Sequence, residues 1–360
     1  MKKAERERLN RLLNEHLNTI HETLQVLDQS PAASAQRTGW KDVVQMGEQL
    51  SKQATNVGML WTGETQEVAV LEDNMFAFFN ALQGLLLLSH GSTVGAGPTL
   101  SACIHASIKQ VVDCSFVLMK DTIATHGPRN KAQKHSIPQL VGTVWEACSA
   151  LKKTPSTNIT AIGRALTQSA VSMKDVLREM KELKSSSPDS EVDDEVSAET
   201  ESNLDDTDDM GDLGNDLSPE EMKVAQLTTD VVSQTLVVIK ELIRAITGLV
   251  KLEASGNPSD TFIGSLERIL KLCQEIGLQV DELGASLYPP QEISSIRGSL
   301  KIISSNTNEM MMELENLKGS TEDYKNACDG LKTSMEHLAS ELGSADSIMQ
   351  KLENLAVSDD

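Results

Sequence analysis

"YKNACDGLKTSMEHLASELGSADSIMQKL", Tyr324 to Leu352, steps its apolar side chains by threes and fours. Tyr324, Cys328, Leu331, Met335, Leu338, Leu342, Ala345, Met349 and Leu352 thereby fall along one side of a helix. That spacing makes the seam of an antiparallel bundle or a coiled coil, whereas a strand would repeat every second residue.

The same period runs upstream. Ile293, Ile296, Leu300, Ile303, Met310, Leu314 and Leu317 form a face, and so do Phe262, Leu266, Ile269, Cys273, Ile276, Val280 and Leu283. Between them lies "GASLYPPQE", Gly284 to Glu292. Proline cannot continue a helix and biases the residue before it away from helical angles, so Tyr288, Pro289 and Pro290 read as a corner between antiparallel helices. Neither Pro-Pro-x-Tyr nor Pro-x-x-Pro, the forms read by proline-binding domains, occurs here.

A further face carries Leu227, Val231, Ile239, Leu242, Ile246 and Leu249 and stops at "SGNP", residues 255–258. Its start is "LSPEEM": Ser218 as N-cap, Pro219 at the first helical position, and Glu221 placed to close a capping box. In the first half, helical faces run from Leu9 to Leu27, Val43 to Trp61, Val68 to Leu88, Leu100 to Ala124, Leu140 to Leu151 and Thr157 to Leu183. "GSTVGAGP" (91–98) reads as a flexible connector and "HGPRNKAQKHSIP" (126–138) as a basic loop. Aromatics make up only 3% of the chain, so the cores are aliphatic.

From Ser185 to Leu217 there are thirteen Asp and Glu and no Lys or Arg. Such a segment cannot bury enough apolar surface to offset its ordering entropy, so disorder is expected. The chain's net charge is −21, of which only −8 lies elsewhere, an ordinary value for a soluble surface. The reading is an all-α chain with an N-terminal helical bundle over 1–185, a disordered acidic linker over 186–217 and a C-terminal helical bundle over 218–356. One elongated multi-helix bundle is the alternative. Ser190 with Asp193 and Ser202 with Asp205 have the spacing that acidophilic kinases prefer, which marks both serines as phosphorylation candidates.

Composition and motifs argue against catalysis. His16 and His21 are five apart and Cys103 and His105 two apart, neither of which stacks two ligands on one helix face, so no metal site is expected. "GSTVGAGP" lacks a following Lys-Ser/Thr and a preceding strand, so no phosphate loop and no cofactor are expected. The acidic balance argues against direct nucleic-acid binding. The most apolar run, "MFAFFNALQGLLLL" (Met75–Leu88), is too short for a membrane span and reads as a buried core helix. The charged start "MKKAERERLN" does not read as a signal peptide. Five scattered cysteines with no C-x-x-C pair suit free thiols in a reducing compartment, cytoplasm or nucleus. "RILKL" (Arg268–Leu272) resembles a cyclin-docking Arg-x-Leu sequence, but Ile269 and Leu270 belong to a helical core face, so chance explains it better.

"ASLYPP" (Ala285–Pro290), followed by "IRGSLK" (Ile296–Lys301), with "VWEAC" (Val144–Cys148) and "SMKDVLREM" (Ser172–Met180) ahead of the acidic segment, resembles the cyclin-D-binding protein family, Maid-like helix-loop-helix regulators. The resemblance implies an all-helical, non-enzymatic regulator that binds D-type cyclins and helix-loop-helix transcription factors and lacks a DNA-contacting basic region. A scaffold resembling the helical bundles of talin and vinculin is the alternative. The long C-terminal seam suggests where a partner helix could pack: Leu331, Leu338, Leu342, Met349 and Leu352, with the same residues serving otherwise as internal core.

Overall fold

The start signal at Ser218 is realised in full. Its Oγ accepts the Glu221 backbone N–H at 3.2 Å, and the Glu221 carboxylate accepts the Ser218 N–H at 3.0 Å. Two N–H groups that the first helical turn cannot pair internally are thus satisfied. The computed structural model describes residues 3–27, 37–62, 67–125, 136–183, 217–249, 259–317 and 321–356, the side chains of the last stretch as far as Gly343.

Ten α-helices account for nearly all of the described residues: α1 (Lys3–Leu27), α2 (Trp40–Thr62), α3 (Val68–Ser92), α4 (Pro98–Thr125), α5 (Ser136–Ala150), α6 (Asn158–Lys181), α7 (Pro219–Gly248), α8 (Asp260–Ala285), α9 (Ile293–Asn316) and α10 (Glu322–Ala356). The fold class is all-α, as the aliphatic periodicity requires. The described residues divide into two compact units, one within Met1–Ile162 and Ser255–Gly264, the other within Gly163–Ala254 and Ser265–Asp360.

In the first unit α2 packs on α3 and α5, α4 on α5, and α1 on α3 and α4. Its core is built from Leu50, Val57, Trp61, Met75, Phe78, Leu82, Ile108, Met119, Val144 and their neighbours. α4 is long and apolar enough by composition to cross a membrane, yet Ile104, Ile108, Val111, Val112, Leu118 and Met119 are buried within this unit. Pro138 sits in the first turn of α5, where its missing N–H removes no helical bond, so the helix begins four residues before the expected Leu140. Leu151–Lys153, at the expected end of that helix, form a single 3-10 turn.

The connector "GSTVGAGP" is more tightly built than its composition suggested. Gly95 takes φ +75°, a conformation that favours glycine. The Asn158 carboxamide accepts the Gly97 N–H at 2.7 Å and donates to the Gly95 carbonyl at 3.0 Å. Thr38 N–H reaches the Gly91 carbonyl at 3.1 Å.

In the second unit α7 packs along α10, and α9 on α10 and α7. Ser265 on α8 donates to Glu313 on α9 at 2.6 Å, and Arg268 pairs with Glu309 across the same helices. α6 lies on α8 where Gly277 and Gly284 leave room: a Cβ at Gly284 would stand 2.9 Å from Val176 Cγ1. The division between units therefore falls inside α6, after Ile162, and not behind it near residue 185. The physical reason is that the apolar face of α6, Met173, Val176 and Met180, is spent on α8.

Candidate partner-binding surface

As far as Leu342, the C-terminal seam is one face of α10 turned inward. Leu331, Leu338 and Leu342 are 2%, 0% and 0% exposed, and α10 packs chiefly along α7. Tyr324 at its start is fully buried, with its hydroxyl donated to the Thr307 carbonyl at 3.0 Å. Arg297 donates to the Leu342 carbonyl at 2.8 Å, and Lys223 pairs with Glu341 at 2.7 Å. Burial pushes the Tyr324 phenol and the neighbouring Cys328 thiol upward in pKa, Cys328 to about 11. α10 continues through Met349 and Leu352, whose side chains lie outside the described residues. The structure thus brings Leu331, Leu338 and Leu342 together as internal core.

The proline corner connects α8 to α9. α8 ends at Ala285, α9 begins at Ile293, and the Pro289–Pro290 peptide bond is cis. Leu287 is buried beneath the turn, and Tyr288 is about half exposed. Gln291 closes the corner onto α7 by donating to the Glu221 carbonyl at 2.9 Å and to the Leu287 carbonyl at 3.3 Å. Glu292 N–H reaches the Ser286 carbonyl at 3.1 Å. Ser190 and Ser202 lie outside the described residues.

The tryptophan of "VWEAC" has a defined position too. Trp145 on α5 donates its indole N–H to the Ser51 carbonyl at 3.1 Å and to Thr55 Oγ1 at 3.2 Å on α2. Val144 and Cys148 beside it are buried. The two helices meet closely where Gly58 faces Val141, a Cβ there standing 2.9 Å from Cγ2.

Sequence reasoning missed the outer face of α3. Met75, Phe78, Phe79, Leu82, Leu85 and Leu86 are buried as expected, but Phe76 and Leu87 are 57% and 62% exposed. An unbroken apolar run has no polar side to show which face looks outward, so the sequence carried no signal for this. Beside Phe76, between α1 and α3, opens a cleft of about 370 Å³ lined by Arg8, Arg11, Leu12, Glu15, His16, Glu72, Asp73 and Met75. His16 stacks on Phe79 at 4.9 Å and tilts against Phe76 at 6.1 Å. Burial lowers the His16 pKa, and Glu15 opposes the shift, which leaves an imidazole biased to the neutral form. Arg8 is spent on Glu72 at 2.7 Å. Among the described residues no group of three His, Cys, Asp or Glu side chains is placed to hold a metal ion.

Residues 42–186 match the family model described as "Grap2 and cyclin-D-interacting, N-terminal", and residues 204–312 match its C-terminal counterpart. The "Cyclin-D1-binding protein 1 homolog" of Xenopus laevis is 23% identical over 206 residues, 56% of this chain and 56% of that protein. The match therefore spans little more than half of that relative's length. The two family matches lie in order on the chain, on either side of residues 187–203 within the acidic segment, and together they take in most of its helices. The chain belongs to the Grap2 and cyclin-D-interacting family.

Proposed function

We propose that this chain is a non-enzymatic regulatory protein that binds a D-type cyclin, or a helix-loop-helix transcription factor, and so modulates cell-cycle progression or transcription in the cytoplasm and nucleus. The observation that carries the reading is the pair of family matches over residues 42–186 and 204–312, in the order that the family's name describes. The chemistry is compatible with it: bundles of amphipathic helices offer the same packing that a partner helix uses. Phosphates on Ser190 and Ser202 would each add about −1.5 to −2 charge to a segment that is already strongly acidic, and would tune binding by repulsion.

The test is capture from cells that express the tagged full chain, probed for a D-type cyclin and for a helix-loop-helix factor. A variant carrying both Ser190→Ala and Ser202→Ala runs in parallel. Retention of either protein at washing strengths that remove an unrelated cyclin supports the proposal. Retention of neither would remove it. Absence of phosphate on both serines by mass spectrometry would remove the regulatory part alone.

A further inference from the structure

α3 carries large apolar side chains on its outer face as well as on its inner one. From Asn74 to Ser89 it carries no charged side chain, yet the first unit covers only the face that bears Met75, Phe78, Phe79, Leu82, Leu85 and Leu86. Apolar side chains at helical spacing on an open helix face are what an amphipathic helix packs against. Phe76 and Leu87 stand eleven residues apart, which is about 16 Å along the axis and about 20° around it. Exposed Asn80 and half-buried Gln83 lie between them on the same stripe, so the face reads apolar, amide, amide, apolar at helical spacing.

The two ends of the stripe differ. Leu87 has no Asp, Glu, Lys or Arg on α3 for a turn on either side. Phe76 opens on the cleft with α1, where Glu15 and Asp73 are exposed carboxylates and Arg11 the exposed cation, while Arg8 and Glu72 neutralise one another. With His16 biased neutral, that end carries one net negative charge.

We infer that the outer face of α3, with the α1–α3 cleft at its end, docks an amphipathic helix of the protein partner. Its aliphatic side chains meet Phe76 and Leu87, and a basic side chain beyond the Phe76 end meets Glu15 and Asp73. Apolar anchors give most of the binding energy and the charge at one end fixes the direction. Asn80 and Gln83 supply amides that accept a polar residue at the centre. The inference deepens the partner-binding proposal and rests on it. The stripe lies within the matched residues 42–186.

The probe is a fluorescent synthetic helix of roughly 18 residues, with leucines at i, i+4, i+7 and i+11 and two lysines beyond one end. It is titrated against the full chain by anisotropy. Saturable binding is expected, weakened about tenfold or more by Phe76→Asp or Leu87→Asp. Because both side chains are exposed, the melting curves of these variants should stay near wild type. Asn80→Arg, on an exposed residue, blocks the same stripe without touching an apolar side chain and should weaken binding similarly. Glu15→Lys with Asp73→Lys should weaken it about threefold at low salt and little at high salt. No binding by the wild type, or equal binding by Phe76→Asp, Leu87→Asp and Asn80→Arg, overturns the inference. So does light scattering that shows a dimer dissociated by Phe76→Asp, or a photo-crosslinker at position 80 that marks the same chain. Loss of D-type cyclin capture in these variants supports both readings. If the peptide binds but wild type captures no D-type cyclin, the docking face stands and the cyclin proposal falls.

Discussion

Tyr324 donates its hydroxyl to the Thr307 carbonyl at 3.0 Å, tying the start of α10 to the middle of α9 inside the second unit. Burial raises the phenol's pKa, so the group stays protonated and keeps donating well into alkaline solution. Tyr324→Phe keeps the ring and loses this bond, which should cost about 1 kcal/mol. Tyr324→Ala removes a fully buried ring and should cost about 3–5 kcal/mol. Chemical denaturation monitored by circular dichroism separates the two. Equal midpoints for Tyr324→Phe and wild type would show that the hydroxyl contributes nothing.

Two helical glycines should respond with opposite sign. Gly298 on α9 is exposed, and a Cβ there would have nothing within 4 Å, so Gly298→Ala should stabilise by about 0.5–1 kcal/mol through helix propensity. At Gly284 the added methyl would meet Val176 Cγ1 at 2.9 Å, and a β-branched side chain has little freedom to move aside. Gly284→Ala should therefore destabilise by about 1–2 kcal/mol. Thermal melts of the two variants decide the matter, and a stabilising Gly284→Ala would contradict close α6–α8 packing.

Much of this architecture was legible in the sequence. Amphipathic spacing gave the helices, and Ser218 with Pro219 and Glu221 marked one start to the residue. What stayed hidden depends on polar groups and on pairing. Thr228 and Thr235 are fully buried on α7 because each donates to the carbonyl four residues before it, at 2.8 Å, which makes them serviceable as core. An apolar-periodicity reading passes over them and selects Leu227, which is only half-buried. Grouping α6 with the preceding helices failed for a related reason: periodicity shows that a face is apolar but not which helix covers it. The regular spacing of Leu331, Leu338, Leu342, Met349 and Leu352 suits a partner helix, but it is also what an internal face needs, as the burial of Leu331, Leu338 and Leu342 shows.

The Asn158 clip should be among the costly sites of the first unit. Its carboxamide serves the Gly97 N–H and the Gly95 carbonyl, and the side chain is 4% exposed. Asn158→Ala strands both backbone groups and should cost about 2–3 kcal/mol. Hydrogen exchange should show faster exchange at Gly97 than in the wild type. Unchanged protection there would mean that the clip does not hold the turn.

The cysteines set an alkaline limit. Burial pushes the Cys273 thiol up to about 12 and Cys328 to about 11. Unfolded thiols ionise near about 8.5, so above that pH the unfolded chain releases protons that the folded chain keeps. The folded state binds more protons there, and stability should fall as pH rises from about 9 toward 11. Cys273→Ala should flatten part of that slope while lowering stability at neutral pH. A maleimide probe at pH 8 should label Cys273 only as fast as the second unit opens. Rapid labelling of Cys273 in the native chain would contradict its burial.

The D-type cyclin arm of the proposal is read by isothermal titration of the purified full chain with a purified D-type cyclin. A saturable heat is expected with a negative heat-capacity change, the mark of apolar burial, and a loss of affinity with added salt of no more than about threefold. An unrelated cyclin in the same cell should give no saturation. Absence of saturation with the D-type cyclin, or indistinguishable binding of both cyclins, would contradict the claim.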